Sequence, residues 1–344
     1  MLTYILKRLL LMIPTLLGVL TLTFIVIQFV PGGPVETLLA EARAGAGGDQ
    51  ASFQARRDLD AKQVAELKAL YGFDKPPLER YFAMLKSFAQ FDLGKSFLRN
   101  KDVWSLIKEK LPVSISLGLW TFLLSYLISI PLGVAKAVRE GTRFDTLTTL
   151  LVLIGYAIPG FVLGVLLIVL FAGGSFLDWF PLRGLTSDNW ATLSWPARIL
   201  DYLWHLVLPL ACYAIGSFAI ITTLTKNTFV EEIRKQYVLV ARAKGLSERR
   251  VLYKHVFRNA LIPIVTGFPA AFVGAFFTGS LLIETIFSLD GLGLLGYESI
   301  VRRDYPVVLG TLYFFTLIGL VVKLVGDLLY VAVDPRVQFA AVAK

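Results

Sequence analysis

Lys323 and Asp327 stand four residues apart in a stretch, Val307–Val333, that holds no other charge. A charge deep in a bilayer costs about 2.5–3.5 kcal/mol on insertion scales. At this spacing on one helix the two side chains can neutralise each other. The chemistry open to them is that of a gate or a subunit contact. The simpler reading is a pair near a membrane boundary whose lysine reaches outward. Glu284 and the neighbouring Phe276 and Phe277 are further candidates for a translocation path. Asp92-Leu93-Gly94-Lys95-Ser96 ends like a phosphate-binding loop, but that loop requires glycine where Ala89 stands. No serine or cysteine has a histidine base in a usable arrangement. Cys212 is the sole cysteine and lies in an apolar run, which excludes an internal disulfide framework. His205 and His255 are isolated from acidic and cysteine partners, so no metal site is expected.

The elements that must position these residues are apolar. Of 344 residues, 56% are hydrophobic, against about 45–50% in a soluble domain. The excess falls in uncharged blocks of the length that crosses a bilayer, about 18 residues or more. Spans are expected at Leu9–Val30, Val113–Ala137, Thr146–Ala172, Leu206–Thr225, Leu261–Phe287 and Val307–Val333. The fold class is therefore an all-α membrane protein with about six transmembrane helices. Leu9–Val30 is longer than the 7–15 apolar residues of a signal peptide and reads as a retained first span. Residues 31–112 form a long insert after it. Within the insert, Pro31–Pro34 reads as a turn, residues 40–51 as a linker, and Asp60–Tyr71 as a helix capped by Gly72. Leu78–Phe91 reads as a second helix with Tyr81, Phe82, Leu85 and Phe88 on one stripe. Residues 113–333 make a five-helix core with a loop at 226–262, and residues 334–344 a tail.

The net charge of +9 does not point to nucleic acid, because the basic residues cluster between apolar blocks. Lys7, Arg8, Lys136, Arg139, Arg143 and Arg336 fall on one side of a six-span chain. So do the nine Lys/Arg of Lys226–Arg258, set against Glu231, Glu232 and Glu248. That side is expected to be cytoplasmic, with both termini. Residues 31–112 are then extracytoplasmic.

The loop from Lys226 to Ile262 carries the most information. Asn227 or Thr228 can cap a helix, and Glu231 and Glu232 suit its first turn. Small residues Ala241, Ala243 and Gly245 would let a short helix enter a groove on a partner. Gly245 can stop that helix in a left-handed turn. Read from the residues alone, this is a docking loop for a cytoplasmic chain.

Tyr237–Leu246, with Arg242 and Lys244, followed by Arg258-Asn259-Ala260-Leu261-Ile262-Pro263, resembles the cytoplasmic signature of the permeases of binding-protein-dependent, ATP-driven importers. The branch it resembles handles dipeptides, oligopeptides and nickel. Asp92–Phe97, His205–Leu210, Glu284–Gly293 and Arg303–Pro306 match in the same order. The start Gly32-Gly33-Pro34-Val35 and the stretch near 40–60 are most similar to the subgroup that imports microcin C and related peptides. The resemblance implies a type I importer permease fold and a coupling helix around Ala241–Gly245. It implies a second homologous permease, two cytoplasmic ATP-binding subunits and an extracytoplasmic substrate-binding protein in an inner bacterial membrane. ATP and Mg would be used by the partner ATPase, with no cofactor on this chain. Two departures stand out. Leu239 and Val240 occupy the region of the family's signature glutamate, and Gly245 to Pro263 is longer than the general pattern. The alternatives are an ion-gradient-driven carrier, with Lys323 and Asp327 as its coupling charges, or a same-family permease for a non-peptide cargo.

Overall fold

A computed structural model describes residues 2–29, 74–174, 176–277 and 281–333. The expected turn at Pro31–Pro34, the linker at 40–51, the helix at Asp60–Tyr71 and the tail lie outside the described residues. Two compact units divide the chain. One comprises Met1–Lys110 with Leu295–Leu320, the other Leu111–Leu294 with Val321–Lys344.

The helices in chain order are α1 (Leu2–Phe29), α2 (Pro77–Ala89), α3 (Val103–Val138), α4 (Arg143–Ala157), α5 (Gly160–Phe171), α6 (Trp195–Ile233), α7 (Gln236–Ala243), α8 (Ile262–Phe277), α9 (Leu281–Ile286), α10 (Leu292–Val301) and α11 (Tyr305–Val333). Among the described residues there is no named strand. Among the described residues four helices, α1, α3, α6 and α11, are long and apolar enough to cross a membrane. The third expected span is a bent pair, α4 and α5, turned by 96°. Pro159 is the cause. It pushes Ile158 out of helical geometry, to φ −85° and ψ 119°, because its ring crowds the preceding residue. Within the fifth expected span the described residues are helical over α8 and again over α9.

In the first unit, α2 starts on Pro77, whose missing N–H is no loss at that position. It packs on α1 through the Thr21 and Tyr81 hydroxyls at 2.6 Å and through Arg80 donating to Gln28 at 2.7 Å. Tyr81 and Leu85 are half-buried and Phe88 is buried, as the expected stripe requires. Phe82 is exposed instead, because it sits about 100° around the helix from Tyr81.

The Gly94-Lys95-Ser96 turn does structural work. The Ser96 hydroxyl donates to Asp304, and the Phe97 N–H donates to the other carboxylate oxygen at 3.0 Å. Ser96 and Asp304 are both buried. Asp304→Ala should take this acceptor from the buried Ser96 hydroxyl and from the half-buried Phe97 N–H, at a cost of about 2–4 kcal/mol. The purified protein should therefore melt several degrees lower in differential scanning fluorimetry. Asp304→Asn, which keeps one acceptor oxygen, should lose less. An unchanged melting temperature for the alanine variant would show that the latch is not formed.

In the second unit, α6 runs unbroken for 39 residues, about 58 Å at 1.5 Å per residue. It continues past Asn227 and Thr228, which are therefore interior residues and not caps. Buried Phe229 anchors the part of the helix beyond the apolar run that ends at Thr225, and Glu231 and Glu232 fall in its last turn and not in a first turn. A core of Leu117, Leu206, Leu210, Cys212, Ile283 and Phe287 joins α3, α6 and α9.

Candidate functional site

Between α6 and α8 the chain folds into a small polar-rimmed element. It begins with α7, separated from α6 by Arg234 and Lys235 alone. After α7 come Glu248–Arg250, a π-helical turn Val251–Val256 and Phe257–Ala260.

The end of α7 follows from its glycine. Gly245 has φ +75°, a left-handed value that a Cβ would penalise. Its N–H donates to the Arg242 carbonyl at 2.9 Å, and the Leu246 N–H donates back to Ala241 at 3.4 Å. This pair of bonds closes a helix on a left-handed residue and folds the next side chain inward. Leu246 accordingly packs against a core of Ala137, Phe229, Val238, Ala241, Val251, Val256 and Ala260. The core ties α7 to the ends of α3 and α6.

Polar bonds fix the rim. Tyr237 donates to Glu232 at 2.7 Å, and the Asn259 side chain also reaches its hydroxyl. Burial, and then the Glu232 carboxylate, push the Tyr237 phenol above its ordinary value, so it stays a donor. Arg242 forms a two-point pair with Glu248, at 2.8 and 3.0 Å. Lys244 and Asn259 are exposed, and exposed Pro263 opens α8.

This fold sorts the expected docking residues onto two faces. Ala241 does not face outward. It is buried with Val238 in the internal core, because the two are three residues apart on one side of α7. The outward face carries Leu239, 58% exposed, Val240, 52% exposed, and Ala243. The signature positions without a carboxylate are thus the apolar ones that α7 presents.

The other candidates do not join this site. Glu284 is fully buried on α9. Its Oε2 accepts from the Leu294 N–H at 2.7 Å, in the first turn of α10, where a negative charge is favoured. A Cβ on Gly291 would lie 2.8 Å from the carboxyl group, so glycine there admits the carboxylate. This is the geometry of a helix cap, not of a residue lining an open path. Phe276 and Phe277 are the last described residues of α8, and their side chains lie outside the described residues. Lys323 is exposed and Asp327 half-buried, both toward the C-terminal end of α11.

One polar cluster was not singled out by sequence reasoning. Lys136, Asp145 and Lys226 meet where α3, α4 and α6 converge. Lys136 lies 3.1 Å and Lys226 2.7 Å from the two carboxylate oxygens of Asp145. Read singly, the lysines are topology markers. The visible signal was an acidic residue in a basic connection, and nothing local paired it with residues up to 81 positions away.

Fold and site together define an all-helical membrane protein of several spans, with a folded basic element between two of its apolar helices. Residues 129–339 match the family of binding-protein-dependent transport system inner membrane components, and the chain belongs to that family. It is 55% identical to the peptidoglycan transport system permease protein YejB of Agrobacterium fabrum, over 98% of this chain and 98% of that protein. It is 35% identical to the oligopeptide transport system permease protein AppB of Bacillus subtilis, over 98% of this chain and 100% of that one. Among solved structures, the inward-facing MetNI methionine ABC transporter matches with a TM-score of 0.51 at 17% identity, over 67% of this chain and 97% of that one. That likeness concerns the fold alone, that of a type I importer permease. The chain is a multi-pass inner-membrane permease subunit of an ABC transport system.

Proposed function

We propose that this subunit conducts peptides into the cell and that the outward face of α7 is its seat on a separate ATPase. The observation that carries this reading is the apolar face Leu239, Val240 and Ala243, held outside the long apolar helices by its own buried core. A lone apolar residue at a surface needs no explanation, but a helix face this well braced calls for a cover. A single permease of about six helices encloses little, so the path lies at an interface with a second, homologous permease. Two ATPases, which use ATP and Mg, and an extracytoplasmic binding protein complete the assembly.

The basic residues of 226–258 favour the cytoplasmic side for this element, and with it both termini. The names of the relatives favour peptides. Fragments of peptidoglycan also contain short peptides, so the peptidoglycan name and the microcin C resemblance both fall within that substrate class.

The test has two parts. Cys212 is buried and is the sole cysteine, so a cysteine placed at exposed Ser247 should dominate labelling. A membrane-impermeant maleimide should modify Ser247→Cys after permeabilisation and not in intact cells. The co-purified complex in proteoliposomes should then take up a labelled oligopeptide when ATP is supplied. Labelling from outside would invert the topology. Uptake on an ion gradient without ATP would make the chain a secondary carrier.

A further inference from the structure

We infer that Lys136, Asp145 and Lys226 form a positioning clasp that passes displacement of α7 to the bent pair α4–α5. The inference rests on the importer reading above.

The geometry is closed and specific. The Lys136 ammonium donates to the backbone oxygen of Asp145 at 3.0 Å, to Thr148 at 2.9 Å and to Thr149 at 2.6 Å. The Gly141 N–H donates to Asp145 at 3.2 Å. Side-chain exposure is 3% for Lys136, 8% for Asp145 and 21% for Lys226. Two cations and one carboxylate are thus held where three helices meet.

The clasp stands beside the core under α7. Lys136 precedes Ala137, and Lys226 lies one turn before Phe229, both members of that core. Helices α3 and α6 are pressed together here, since a Cβ on Gly133 would fall 2.5 Å from Thr225. The bent pair follows α6 in the other direction. A Cβ on Gly155 would lie 3.1 Å from Ile215, and one on Gly160 would lie 2.7 Å from the Cys212 carbonyl. Contacts between α6 and the pair therefore run from Lys226 to Cys212. All but one of these named contacts are apolar or backbone packing, which permits sliding. The Lys226–Asp145 bond is directional and fixes the register.

Stability alone gives the clasp no reason to exist. Replacing a buried ion cluster by apolar residues of similar size is often neutral or stabilising. What ions offer over methyl groups is one defined arrangement that can be broken and remade as a unit. Because α7 is packed on the end of α6 through their shared core, a displacement of α7 carries α6 with it. The clasp hands that motion to the start of α4.

Lys226→Met separates this role from a structural one, because it leaves the buried Lys136–Asp145 pair neutral and hydrogen-bonded. The measurement is peptide carried per ATP hydrolysed in proteoliposomes, with the melting temperature and the amount of co-purified ATPase followed alongside. The ratio should fall by about tenfold or more, an ordinary coupling between distant sites, while the other two readouts hold. Lys226→Arg, which keeps the charge and a donor, should retain the ratio. Wild-type coupling in Lys226→Met would overturn the clasp. So would a loss of uptake matched by an equal loss of stability or of bound ATPase. If the wild-type complex takes up no peptide with ATP, the importer reading fails first, and the control shows it.

Discussion

Val240→Asp is expected to leave the protein inserted and folded but to lower ATP-driven uptake by about a hundredfold, the factor that about 3 kcal/mol sets. Val240 is not one of the buried residues of the internal core and is half exposed. The intrinsic helix cost of aspartate in place of valine is a few tenths of a kcal/mol, too little to unfold α7 while Val238 and Ala241 hold it. On a face that closes against another chain the outcome differs. A carboxylate buried there without a partner loses its water and gains nothing in return, a cost of about 2–5 kcal/mol at interfaces. Val240→Thr, nearly the same shape, should lose far less. Immunoblotting of membranes reports insertion, pull-down of the ATPase reports docking, and labelled-peptide uptake reports the consequence. Full uptake by the aspartate variant would remove α7 from the interface.

How much of this was visible in the residues depends on the range of the interaction. The long spans were legible because hydropathy is a local property, and α1, α3, α6 and α11 stand where uncharged runs stand. The left-handed stop at Gly245 was legible for the same reason, since one residue type at one position sets it. The 96° turn was not. Pro159 announces a break, but its angle is set by what α5 packs against, and Cys212 on α6 is far along the chain. The facing of α7 failed at finer scale. Ala241 and Ala243 look alike in the sequence, and one is buried while the other is exposed. Periodicity alone relates them, and it could not say which side the chain's own core would take. The clasp is the extreme case. Lys136 and Lys226 carry the charge bias that fixes the expected topology, and that reading stops short of their partner.

Ala241→Phe should fail in the opposite manner to Val240→Asp, although the residues are neighbours. Ala241 sits at 7% exposure against Val238, Phe229 and Val256, all fully buried. Overfilling a packed core typically costs about 1–3 kcal/mol, and occasionally more, in displaced side chains and backbone. Helix α7 has only eight residues, and Val238 and Ala241 are its buried anchors. The strain is more easily relieved by lifting α7 off the core than by moving the 39-residue α6. The variant should therefore lose uptake by about tenfold or more, as 1–3 kcal/mol dictates, and its melting temperature should fall with it. Proteolysis should cut sooner after Lys235 or Lys244, the residues flanking α7. Ala241→Ser, small enough for the same space, should change little. The two substitutions thus divide one short helix into a face that holds it and a face that is held. If Ala241→Phe kept wild-type melting and protease resistance while uptake was lost, Ala241 would belong to the outer face, and the inward packing of α7 would be wrong.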